Sequence, residues 1–213
     1  MMTCPTLARQ TRRTVLALLL AGAASLAGAT PAAAPAASAT PTLAPLPANS
    51  IYQLTVPLTD QSGRSFRLDE HRGQPMLISM FYTSCQFVCP MLIDALRDTE
   101  ARLTEAERAR LHVLIVSFDP AHDSVAVLKR TADQRHLDGA HWSLARTDAR
   151  NVRKLAAMLG IQYRALPDGE FNHTTALILI DANGRIAGRT AKLGDADPAF
   201  VKLVKAAVQA GPN

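Results

Sequence analysis

Aromatic side chains are scarce in this chain, 5% of its 213 residues, and no stripe interleaves them with basic ones. That removes the stacking platforms and cationic surface on which nucleic-acid binding depends. The formal charge of +5 does not restore them, because Arg9, Arg12 and Arg13 lie in an N-terminal leader and without them 20 basic residues face 18 acidic ones. Nucleic acid is therefore discounted as a partner. Apolar length is also short: residues 15–26 fall below the about 20 that a spanning helix needs. Preceded by Thr11-Arg12-Arg13 and followed by Ala27-Gly28-Ala29, an A-x-A type cleavage site, they read as an export signal over residues 1–29 that resembles the twin-arginine type. An uncleaved leader acting as an anchor is the lesser alternative. Cysteine is the third scarcity. Of three, Cys4 belongs to the leader, so the mature chain carries Cys85 and Cys89 alone, in an oxidising compartment.

Those two cysteines sit in the stretch around which the chain is organised, F-Y-T-S-C-Q-F-V-C-P from Phe81 to Pro90. The apolar run 76–82, introduced by Gly73 and Pro75, reads as a buried strand. After it the period changes to that of a helix over 90–110, with Met91, Leu92, Ala95, Leu96 and Leu103 apolar and Pro90 in the first turn, where a missing N–H costs nothing. The thiols thus fall at a strand-to-helix turn near the positive end of a helix dipole, which favours thiolate. Residues four apart on a helix have Cβ atoms about 5–6 Å apart, whereas a disulfide wants about 3.5–4.5 Å. C-x-x-x-C therefore leans toward chelation, although a non-helical Cys85 could still close a disulfide, and a buried pair of small hydrophobes is the plain alternative.

Residues 30–49 are rich in Ala and Pro and carry no charge, a disordered tether. From residue 50 on, a single domain is expected. It opens with a hairpin, Tyr52, Leu54 and Val56 alternating before a turn at Gln61-Ser62-Gly63 and Phe66 and Leu68 alternating after it. A buried strand over 113–118, a helix over 124–136, a short strand over 142–145 and a helix from Thr147-Asp148 to Leu159, stopped by Gly160, follow. Strands over 163–166, 176–180 and 185–189 and a helix from Asp197-Pro198 complete the chain, with Asn183-Gly184 marking a hairpin. Strand and helix alternating in this order give an α/β sandwich around one central sheet, without repeats or a second domain.

His173 lies between a Gly-containing loop and the apolar strand 176–180, placed to project from a strand mouth toward another loop; a lone histidine of this kind is either a ligand or a structural residue. Two thiolates and an imidazole suit copper, the sulfurs favouring Cu(I) and the nitrogen tolerating Cu(II). Zinc usually takes a fourth ligand, and none is evident. His71, His112, His136 and His141 show no ligand spacing.

Over residues 50–210 the chain resembles the SCO (SenC) family of copper-binding, thioredoxin-fold proteins. The resemblance is carried by F-Y-T-S-C-Q-F-V-C-P against the family's Y-T-x-C-P-x-x-C-P, by V-S-F-D-P-A-H-D against S-V-D-P-x-x-D, and by His173-Thr174 before the strand ending Leu179-Ile180-Asp181. It implies a thioredoxin-like sandwich, a central mixed sheet flanked by helices, in which Cys85, Cys89 and His173 bind copper. It also implies a periplasmic carrier delivering copper to the copper-accepting subunit of a respiratory oxidase, cytochrome c oxidase or a related copper enzyme. The alternative is a thiol-disulfide oxidoreductase in which Cys85 and Cys89 are redox-active and reduce the cysteines of a partner's copper site, themselves served by a periplasmic thiol reductant. A peroxiredoxin-like enzyme, suggested by Gly73-Gln74-Pro75, lacks the expected cysteine and arginine spacing. Gln86 replaces a proline that often follows the first cysteine, Asn172 stands where an acidic residue often precedes the histidine, and the segment from Tyr163 to His173 is short for the family. Asp119 and Asp123, near the site in the family's pattern, are read more simply as a turn residue before Pro120 and a helix cap, and His122 as an exposed loop histidine.

Overall fold

A computed structural model describes residues 45–210, so the leader and the tether up to residue 44 lie outside the described residues. Nine strands and five α-helices are described: β1 (Pro57–Asp60), β2 (Ser65–Arg67), β3 (Met76–Phe81), α1 (Val88–Ala101), α2 (Glu105–Arg108), β4 (His112–Ser117), α3 (Val125–Gln134), β5 (Trp142–Arg146), α4 (Ala149–Leu159), β6 (Tyr163–Ala165), β7 (Phe171–His173), β8 (Leu177–Ile180), β9 (Ile186–Thr190) and α5 (Pro198–Ala210). Seven strands form one sheet in the order β2-β1-β5-β4-β3-β8-β9. Its centre is parallel, with Met76 opposite His112 and Val113 opposite Trp142, and its flanks are antiparallel. This is the expected central mixed sheet flanked by helices. Every residue of β3 is buried, as its continuous apolar run requires of a strand covered on both faces.

The helices follow from their caps and apolar stripes. In α4 the Asp148 side chain accepts from the Arg150 and Asn151 N–H groups, and Val152, Leu155, Ala156 and Leu159 face the core at helical spacing. Gly160 ends it in the left-handed region, at φ 64°. The reach 90–110 is two helices rather than one. Thr104 and Glu107 exchange side-chain and backbone hydrogen bonds in a capping box that starts α2 anew.

The N-terminal hairpin forms, with Leu58 opposite Phe66, but its first strand is β1 and not the alternation at 52–56. Ile51 and Tyr52 are adjacent and both buried, in a short 3-10 turn where Ser50 Oγ accepts from the Tyr52 N–H. The Ile51 N–H reaches the Gly184 carbonyl at 2.8 Å. Leu46 already packs against the core. The strand expected at 163–166 does not join the central sheet: β6 pairs with β7 in a separate two-stranded ribbon, Tyr163 opposite His173. No helix of the described residues is long and apolar enough to cross a membrane.

Candidate metal centre

The end of β3 delivers Tyr82 and Thr83 to the turn that carries the thiols. Thr83 is held by a buried carboxylate: Asp123, 1% exposed, accepts from the Thr83 N–H at 3.2 Å and from the Thr83 and Ser117 hydroxyls. Asp123 is not the helix cap that its position suggests. Ser124 takes that role, its side chain accepting from the Val127 N–H. Asp119 does make the turn expected of it, its carbonyl accepting from the His122 and Asp123 N–H groups. The His122 side chain is 80% exposed, its Nδ1 2.7 Å from the Asp119 carboxylate.

Cys85 lies before α1 and Cys89 in its first turn, so the pair does not share a helix. The Cys89 N–H donates to Cys85 Sγ at 3.3 Å. Phe87, at the N-cap, offers no side-chain acceptor, and sulfur satisfies one of the free N–H groups of the helix start. Both cysteines are free and buried, 9% and 4% exposed. Burial pushes the Cys85 thiol up, but the Cys89 and Phe87 N–H groups and the Cys89 and Tyr82 side chains outweigh it and hold it below the ordinary thiol value. Burial pushes Cys89 well above its ordinary value, and the neighbouring Cys85 and Asp123 push the same way against the Tyr82 backbone. The two thiols are therefore unequal, Cys85 shifted toward the thiolate and Cys89 toward the thiol. They open onto a cleft of about 110 Å³ shared with Tyr82, Thr83, Pro90 and Arg135.

His173 stands on β7. Its Nδ1 lies 3.3 Å from the Thr174 carbonyl, which can only accept, so Nδ1 carries the proton and Nε2 keeps its lone pair. Burial holds the imidazole below its ordinary value, the Thr174 carbonyl opposing, and the neutral form is the one that ligates a metal. Its ring packs 4.9 Å from Phe118 and edge-on to Tyr82 at 6.0 Å. It lines a different cleft, with Tyr163, Arg164 and Asn172. Among the described residues no three His, Cys, Asp or Glu side chains come together as a metal cluster. The structure therefore brings Cys85 to Cys89 and leaves His173 one aromatic ring away. The donor types fit copper; the three donors do not converge in this conformation.

Tyr82 and Glu170 were not singled out in the sequence. Tyr82 Oη donates to Glu170 Oε2 at 2.5 Å, while its ring faces Phe171 at 5.0 Å. Tyr82 could have been found from its place in the cysteine motif; nothing in the sequence marks Glu170. His71 and His112 stack at 4.2 Å, and His112 stands beside Met76 at the start of the parallel strands, the opposite end from the cysteine turn.

The fold and this turn define a class: a thioredoxin-like α/β domain with a buried dithiol at a strand-to-helix junction. A family model described as SCO1/SenC matches residues 48–208, and the chain belongs to that family. It is 23% identical over 130 residues to the SCO1 protein homolog of Bacillus subtilis, covering 60% of this chain and 67% of that protein. It resembles the copper-bound structure of Bradyrhizobium japonicum ScoI, with a TM-score of 0.58 at 23% identity over 73% of this chain and 96% of that one. BsSco, described as having a disulfide switch and as a member of the Sco family of cytochrome c oxidase assembly proteins, matches with a TM-score of 0.61 at 20% identity over 72% and 91% of the two chains.

Proposed function

We propose that this chain is an exported, periplasmic copper carrier. Its leader, residues 1–29, is removed, the Ala/Pro-rich segment that follows tethers the domain up to the point where Leu46 joins the core, and the domain holds copper through Cys85, Cys89 and His173. The cargo is passed to the copper centre of cytochrome c oxidase or a related copper enzyme. The observation that supports this reading is the pair of free, buried thiols at the start of α1 in a SCO1/SenC chain. Cys85, already below the ordinary thiol value, loses its proton first; Cys89 gives up its proton when a cation replaces it, since metal ligands must be deprotonated. Cys85 and Cys89 suit Cu(I), and the His173 imidazole makes Cu(II) acceptable. Asp123 keeps Thr83, and with it the cysteine turn, in place.

The unequal thiols also favour a second reading, thiol-disulfide exchange. The Cys85 thiolate attacks a partner's disulfide and releases one partner thiolate, which takes up a proton. Cys89, losing its own proton, then displaces the second partner sulfur and leaves a Cys85–Cys89 disulfide, so two electrons pass to the partner. His173→Ala separates the readings. Under the carrier reading it abolishes or greatly weakens Cu(II) binding, leaves some Cu(I) on the cysteines, leaves disulfide exchange intact and fails in oxidase assembly in cells. If His173→Ala assembles the copper centre as well as wild type while Cys85→Ser fails, the oxidoreductase reading stands and copper carriage is wrong.

A further inference from the structure

The ribbon that carries His173 is tied to the rest of the domain at one atom. Among the described residues, two hydrogen bonds connect residues 163–173 to other elements, and both end on Tyr82 Oη: it donates to Glu170 Oε2 at 2.5 Å and accepts from the Phe171 N–H at 3.5 Å. The remaining polar contacts of this stretch are internal, such as the Leu166 N–H to the Glu170 carbonyl, or reach its immediate flank, as His173 Nδ1 does to the Thr174 carbonyl, while the Thr174 N–H to the Gln162 carbonyl closes the two flanks on each other. The other attachment is aromatic packing, of Phe171 on Tyr82 and of Tyr163 and His173 on Phe118. Tyr82 itself belongs to the β3 end that feeds the cysteine turn and lines the thiol cleft, while its ring meets His173 edge-on.

We propose that Tyr82 and Glu170 are positioning residues that set the access of His173 to the two thiols. With the Tyr82–Glu170 hydrogen bond made, the ribbon is seated and His173 lines its own cleft, apart from Cys85 and Cys89. Gathering all three donors requires the ribbon to shift over the Tyr82 ring, and that motion breaks the bonds at Oη. The aromatic contacts can slide while keeping most of their burial, which is non-directional, whereas a hydrogen bond weakens steeply with angle and distance. Capture of a cation that needs the imidazole is thereby slowed, and capture by the thiols alone is not. The inference rests on the three-donor reading above and adds the residues that govern it.

The test begins on the reduced, metal-free protein. Glu170 is exposed, so Glu170→Ala removes the acceptor without touching the core, and Glu170→Gln restores an acceptor oxygen. Tyr82→Phe removes the hydroxyl and keeps the ring. Amide exchange at residues 163–173 is expected to rise about tenfold in Glu170→Ala and Tyr82→Phe, that of α4 to stay as in wild type, and Glu170→Gln to recover most of the protection. On mixing with a Cu(II) salt, the thiolate-to-copper charge-transfer absorbance should grow about tenfold faster in Glu170→Ala, with the Cu(I) affinity of that variant unchanged. Unchanged exchange in both variants, or an unchanged rate of Cu(II) capture, overturns the proposal. If wild type never develops the charge-transfer absorbance, the three-donor reading has failed instead, and the exchange measurement still decides whether Tyr82 and Glu170 hold the ribbon.

Discussion

Replacing Asp123 by alanine tests whether the cysteine turn is held by one buried carboxylate. The side chain receives the Thr83 N–H and the Thr83 and Ser117 hydroxyls, and it is 1% exposed. A hydrogen bond to a charged acceptor contributes about 1.5–3 kcal/mol. The three share one carboxylate, so they do not add. Both hydroxyls can also turn, and Ser117 Oγ already accepts from the Asp119 N–H at 2.9 Å. The Thr83 N–H has no other acceptor among the described residues, which leaves a donor stranded at the mouth of the thiol cleft. The expected loss for Asp123→Ala is therefore about 3 kcal/mol, or a fall in Tm of roughly 6–12 °C for a domain of this size. Asp123→Asn should fall between, since the amide oxygen can serve one donor while its NH₂ faces the others. Urea unfolding of the reduced protein is the assay, read from the midpoint at constant m-value. His122→Ala, which removes an 80% exposed side chain hydrogen-bonded to Asp119, is the control and should stay within about 1 kcal/mol of wild type. A loss below about 1 kcal/mol in Asp123→Ala would refute the assignment of Asp123 as the clamp of the turn.

Three further outcomes are expected. Burial, reinforced by His71, His141 and Arg64, holds His112 down to about 3, and burial with Arg64, against Glu70, holds His71 below its ordinary value. His112 is neutral when folded and protonates on unfolding below about pH 6.5, so stability is full above that pH and falls by about 1.4 kcal/mol per pH unit for His112 alone as the pH drops toward 3, His71 acting in the same direction; urea midpoints at pH 7 and pH 5 should converge in His112→Leu relative to wild type, and an equal pH slope in the two proteins would contradict this. Gly184, at φ 82°, leaves no room for a Cβ, which would stand 2.3 Å from Ser50 Oγ and 2.6 Å from the Tyr52 ring, whereas Gly169, at φ 85°, opens on empty space. Gly169→Ala should cost only the left-handed strain of about 1–2 kcal/mol, and Gly184→Ala at least about 1 kcal/mol more, measured by the same unfolding; equal losses would mean the Ser50–Tyr52 turn yields freely. Export with cleavage should give a mature N-terminus near Thr30 by mass spectrometry, and an intact Met1 in a membrane fraction would rule it out.

Much of the architecture was legible because local patterns and the tertiary fold agree. The runs in β3 and β4 could only be buried strands, and Asp148 and Gly160 bracket α4 by cap chemistry alone. The break after α1 was present in Thr104 and Glu107 but hidden under a continuing helical composition. The alternation at 52–56 misled because burial there comes from contact with residues about 130 positions away, Ser50 Oγ donating to the Asn183 carbonyl at 2.6 Å, and not from a strand face.

At the site the division is sharper. Residue type and spacing determined the dithiol turn: two soft donors four apart, after a strand and before a helix with proline in its first turn, are local facts. Residue type also marked His173 as a candidate. Only the tertiary structure decided how far the donors are gathered, because a ribbon's seat on a sheet is set by contacts that cross the chain. Tyr82 meets Glu170 88 positions on, and Thr83 meets Asp123 40 positions on. Neither pairing has a period or a spacing that a sequence can display, and each exists because the parallel strands β3 and β4 end side by side beneath the β6–β7 ribbon.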